Sequence, residues 1–268
     1  MFCRGRSGGT VLSKLFLNLY SKFVPISYES LNENNTSIYN FLKKNERYFF
    51  KSDNKDLYKK LINNESFNKE NVLEYINVFS ELSTYMEYKY VLLKVTPAKK
   101  NLINKIGLKY IVNDKNSEVF FFFRNILDIY ISSLKAKEVK TWSNVDTTKI
   151  MLKIDKEKFY DFYKSYVKWI FTNIEELKYT KNVMYFNYED IFNNKKKIIT
   201  KFLKSFNDLI AVNDYKNDHN NALKVLEKFT KQDKSINWRN KISNSNEIDE
   251  FIRSKNIILN PSKITSHQ

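Results

Sequence analysis

The chain has 268 residues, 42% of them hydrophobic and 16% aromatic, enough for one sizeable core and not the composition of a disordered protein. Its formal charge of +16 favours an anionic ligand, but the excess is mostly lysine in a chain crowded with Asn, Ile, Phe and Tyr, and reads as compositional bias before it reads as a nucleic-acid footprint. One cysteine, Cys3, excludes an intrachain disulfide or a cysteine-ligated metal cluster, and two histidines, His219 and His267, are too few for a histidine metal site.

The first predicted strand is Met1-Phe2-Cys3, running into Arg4-Gly5-Arg6-Ser7-Gly8-Gly9-Thr10. This loop holds three of the four glycines in the chain, and an apolar run at helical spacing follows it, Val11, Leu12, Leu15, Phe16 and Leu19. Strand, glycine-rich loop and helix N-terminus together form an anion site, because unpaired N–H groups and the positive helix end converge there. The loop is neither a Walker A motif, since Val11 stands where the lysine belongs, nor a dinucleotide fingerprint. The plain alternative is an N-terminal tail with chance glycines. Lys14 and Asn18 break the apolar part, no small-residue cleavage site follows, and no stretch approaches the roughly 18 apolar residues of a membrane span. A soluble, cytoplasmic protein is expected.

Val24–Tyr28 reads as a second short strand, with Glu29 just beyond it. Residues 34–82 carry a polar-rich helical pattern. Tyr90–Val95 is a strand stopping at Thr96-Pro97, where a helix begins that Gly107 closes. Val119-Phe120-Phe121-Phe122-Phe123 is continuously apolar, the pattern of a strand buried on both faces in a parallel sheet. It ends at Arg124, and Ile126, Leu127, Ile129, Tyr130 and Leu134 outline the next helix. Asp155–Lys178 is a long amphipathic helix, Val183–Tyr188 a further strand, and Glu189-Asp190 lead into a helix reaching Phe206. Short helices follow Asn213, and the end of the chain, residues 255–268, reads as loose.

Alternating strands and helices predict an α/β fold with a central parallel sheet and right-handed crossovers. One domain spans residues 1–268, with residues 30–85 a helical insertion on the acceptor side. Ligands of such sheets bind beyond the strands' carboxyl ends, where both the glycine-rich loop and Arg124 fall.

These residues resemble the sulfotransferases that use 3′-phosphoadenosine-5′-phosphosulfate (PAPS). Gly5-Arg6-Ser7-Gly8-Gly9-Thr10 is similar to the family's Pro-Arg/Lys-Ser-Gly-Thr/Ser-Thr loop. Arg124-Asn125-Ile126-Leu127-Asp128, followed by Ser132, is similar to its Arg-Asn/Asp-Pro-x-Asp-x-x-x-Ser segment. Lys94-Val95-Thr96-Pro97, Tyr188-Glu189-Asp190-Ile191 and Trp238-Arg239-Asn240-Lys241-Ile242 match three further segments in the family's order. Gly5 and Ile126 replace two family prolines, and Gly9 replaces Thr or Ser.

The resemblance implies a three-layer α/β/α, P-loop NTPase-like fold and transfer of a sulfuryl group from PAPS to a hydroxyl, with a carbohydrate as the acceptor and no metal. The donor has two separated anionic ends. Arg6, Ser7, Gly8, Gly9 and Thr10 would hold the 5′-phosphosulfate. Arg124 and Ser132 would hold the 3′-phosphate, and Arg239 and Lys241 of the closing segment would also bind the cofactor. Arg6 is the candidate to stabilise charge on the leaving oxygen and Glu29 the candidate base, with Glu33 second. Asp128 reads as a structural hydrogen bonder. The competing readings are a P-loop-like nucleotide kinase, a non-catalytic basic binding protein, and a sulfotransferase fold that binds PAPS without a base.

Overall fold

A computed structural model describes residues 2–3, 23–26, 43, 46–49, 55–56, 59, 90–93, 118–140, 145–180, 183–200, 215–227, 233, 235 and 237–262. Five strands are described: β1 (Phe2–Cys3), β2 (Phe23–Ile26), β3 (Tyr90–Leu93), β4 (Val119–Phe123) and β5 (Val183–Asn187). The helices are α1 (Glu46–Phe49), α2 (Ile126–Glu138), α3 (Lys156–Leu177), α4 (Tyr188–Asn193), α5 (Tyr215–Glu227) and α6 (Ser245–Ser254), with a 3-10 turn at Trp238–Lys241. No described helix is long and apolar enough to cross a membrane.

All described strand pairs are parallel. β1, β4 and β5 form one sheet in that order, and β2 pairs with β3 in a second. The mixed α/β class and the parallel pairing thus follow the sequence pattern. β4 is central in its sheet, and every residue from Val119 to Phe123 is at most 3% exposed. That is the burial its unbroken apolar run predicts for a strand covered on both faces.

On one face Phe121 meets Trp169 of α3 at 5.3 Å, and Phe123 stacks on Tyr185 at 5.7 Å. On the other, Phe122 stacks on its cross-strand partner Phe186 at 5.4 Å. Such pairs add to the area term, which is ~1.5–3 kcal/mol for each fully buried large apolar side chain.

The long helix forms where its spacing predicts. Phe159, Tyr166, Ile170 and Leu177 are buried along one side, and Asp155 caps the N-terminus by accepting from the backbone N–H groups of Glu157 and Lys158. Two boundaries differ from the sequence reading. Tyr188, read as strand, begins α4, because Asn187 is the extended N-cap residue and Glu189 and Asp190 fill the acidic first turn. The helix expected to run on to Phe206 is interrupted at Asn194 and resumes over residues 195–200, with 201–206 outside the described residues; asparagine amides compete with helical bonds.

The end of the chain, read as loose from residue 255, is packed instead over its described part. Asn256 turns out of α6 in the left-handed region at φ 50°, Ile257 is buried, and Ile126 N–H donates to the Leu259 carbonyl at 2.9 Å.

Candidate functional site

The parallel registers set which chain ends lie together. Cys3 is opposite Phe122, and Phe123 is opposite Asn187. The chain therefore leaves β1, β4 and β5 at one end of the sheet, and the next residues of β4 and β5 are Arg124 and Tyr188. Arg6, Ser7, Gly8, Gly9 and Thr10, the candidate bases Glu29 and Glu33, and Lys94–Pro97 lie outside the described residues. The described part of the candidate site is the carboxyl ends of β4 and β5 and the start of α2.

Arg124 is half-buried there, its guanidinium carbon 4.1 Å from the centre of the Tyr188 ring. A ring face beneath a guanidinium attracts the charge and restricts its plane. Asn125, next along, works in both directions. Its N–H donates to Glu189 Oε1 at 3.0 Å, and its Oδ1 accepts from the Asp128 N–H at 3.1 Å, capping α2. Segments that the sequence separates by 64 positions are joined by that first bond. Asn187 Nδ2 also donates to Asp190 Oδ2 at 3.4 Å, within the turn from β5 into α4.

Ser132 is half-buried on α2, eight residues beyond Arg124 and so about two helical turns along. Asp128 is the structural hydrogen bonder it was read to be: its Oδ1 accepts from Lys241 Nζ at 2.6 Å.

The two closing cations are engaged within the protein. Lys241, a cofactor-binding candidate by the resemblance, is enclosed. Its side chain is 6% exposed and its ammonium is held by Asp128, whose side chain is 14% exposed. Arg239 lies over the Trp238 ring at 4.6 Å and donates from Nε and Nη2 to the two oxygens of Asp249, each at 2.6 Å. The fork-to-fork bond raises the pKa of this already cationic group. Both side chains found carboxylates too distant in sequence to be matched to them by pattern.

Two features escaped sequence reasoning. Tyr188 and Glu189 were matched as a motif without a site role, yet they contact Arg124 and Asn125. Lys135 is 1% exposed and donates to the Thr147 carbonyl at 2.9 Å and to Asp233 Oδ2 at 2.7 Å. The sequence holds a signal for it: Leu127, Ile131 and Lys135 follow one another at four-residue spacing on a face whose apolar members are buried.

Searches of protein-family models, of curated proteins and of solved structures find no match to this chain.

Proposed function

We propose that the protein is a sulfotransferase of a three-layer, P-loop-like α/β fold, moving a sulfuryl group from PAPS to a hydroxyl acceptor, with a carbohydrate as the acceptor class. The observation that carries this reading is the common exit of β1, β4 and β5. Cys3, Arg124 and Tyr188 stand at one sheet end, so the glycine-rich stretch after β1 starts from the same edge as the capped, positive end of α2. A donor with anions at both ends needs two cationic sites at such an edge.

In this reading Arg124 and Ser132 take the 3′-phosphate. The Arg124 environment suits that task, since Tyr188 covers one face of the guanidinium and restricts its plane. Arg6 and the Gly8–Thr10 amides take the 5′-phosphosulfate. The acceptor oxygen forms a bond to sulfur while the bond from sulfur to the phosphate oxygen breaks. The acceptor proton passes to Glu29, and the charge on the departing oxygen falls to Arg6. Arg239 and Lys241 are left out of the ligand contacts, because Asp249 and Asp128 hold them.

The test is nucleotide discrimination. PAP, the product nucleotide, should raise the melting temperature more than AMP or ATP at equal concentration. Arg124→Ala should abolish most of the PAP advantage and leave the AMP shift nearly unchanged. Equal shifts from PAP and AMP in the wild type would remove the 3′-phosphate site, and a shift from ATP alone would favour a nucleotide kinase. Glu29→Gln should keep PAP affinity and lower transfer by roughly a hundred-fold or more.

A further inference from the structure

We propose that Asp128 and Lys241 are a positioning pair, which transmits the docking of the closing segment to the strand end that carries Arg124. The bonds on each side of the pair form an unbroken series. Lys241 Nζ donates to Asp128 Oδ1 at 2.6 Å, Asp128 N–H donates to Asn125 Oδ1 at 3.1 Å, and Asn125 N–H donates to Glu189 Oε1 at 3.0 Å. Asn125 is the residue after Arg124, so this series fixes the backbone from which the guanidinium projects.

At its other end Lys241 is itself held firmly. Its carbonyl accepts from Leu152 N–H at 3.2 Å, Ser243 N–H donates to the Leu152 carbonyl at 2.8 Å, and Trp238 and Ile242 are 8% and 2% exposed. Asn244 adds a two-way bond to the backbone of Ile154, with both contacts at 2.9 Å. The closing segment is thus a fixed point against which α2 is set.

A pair this buried is a weak device for raw stability, because desolvation offsets much of its attraction. Its distinctive property is direction. Both charges are satisfied in one geometry, and a shift of α2 along its axis would leave an ammonium and a carboxylate buried apart. Arg239–Asp249, at the surface of the same segment, joins the 3-10 turn to α6 and serves as the control.

The experiment compares Lys241→Met, which keeps the stem and removes the charge, with Lys241→Arg, which keeps the charge, and with Arg239→Met. Amide hydrogen exchange is read in residues 124–130. Lys241→Met should speed exchange there about tenfold or more, whereas Lys241→Arg and Arg239→Met should stay near wild type. Asp128→Asn supplies the same reading from the other side should Lys241→Met fail to fold. Unchanged exchange over residues 124–130 in the charge-removing variant, or acceleration spread evenly over the whole chain, would overturn the proposal.

A second readout rests on the sulfotransferase reading. The Kd for PAP should rise about tenfold in Lys241→Met, with that for AMP unchanged and Lys241→Arg restoring the wild-type value. A wild-type protein indifferent to PAP would defeat that reading while leaving the exchange result to decide the positioning role.

Discussion

Asp155 shows how one side chain sets an element. It takes two backbone N–H groups at the start of α3, and the bond from Lys158, followed by that residue's charge, holds its carboxyl below the ordinary 3.8 against the opposing effect of desolvation. A carboxylate whose folded pKa is depressed adds stability at pH above its unfolded value, and that contribution is lost as the pH falls through the folded value. Asp155→Ala should therefore lower the melting temperature at neutral pH. The gap between variant and wild type should close on acidification below about pH 4. Parallel melting curves from pH 7 to pH 2 check this, and a gap independent of pH would assign the effect to something other than the charged cap.

At the scale of elements, β4 is the most deeply placed piece of the described chain. Phe121 and Phe122 are both 0% exposed and point to opposite faces, so neither face can relax into solvent when a ring is lost. Phe121→Ala and Phe122→Ala should each cost about 3–5 kcal/mol in urea unfolding. Tyr185 on β5 packs against Phe121 and Phe123 but is 38% exposed, and Tyr185→Ala should cost clearly less. Equal losses at the three positions would mean that β5 is as enclosed as β4.

Across the whole molecule, α2 is held by residues far along the chain. Lys135 reaches Asp233, Asp128 reaches Lys241, and the Ile126 N–H reaches the Leu259 carbonyl. Residues 257–259 are therefore part of the fold that supports the Arg124 strand end. Truncation after Asn256 should remove the buried Ile257 side chain, worth about 1.5–3 kcal/mol, and leave the Ile126 N–H without its acceptor, at a further ~1–3 kcal/mol. A lower urea midpoint is the expected result. Truncation without effect would show that residues 257–259 lie on the fold without supporting it.

The local elements were legible because their causes are local. Val119–Phe123 announces a strand buried on both faces, and the apolar series from Phe159 to Ile174 announces α3. The arginine at the end of β4, the helix after it and the Tyr188-Glu189 turn were also visible as residue types in order. Which groups meet was decided by tertiary packing. Lys241 and Arg239 are cofactor-binding candidates by resemblance of the closing motif; their partners are 113 and 10 residues away, Asp128 across the fold and Asp249 one helix on. Lys135 is paired in the same way with a carboxylate 98 residues on, Asp233. A buried charge is stable only where a partner is delivered to it, and that delivery depends on how the sheet and helices pack. The sheet order β1-β4-β5 is of the same kind, because parallel neighbours are joined by long crossovers whose ends carry no mark of adjacency.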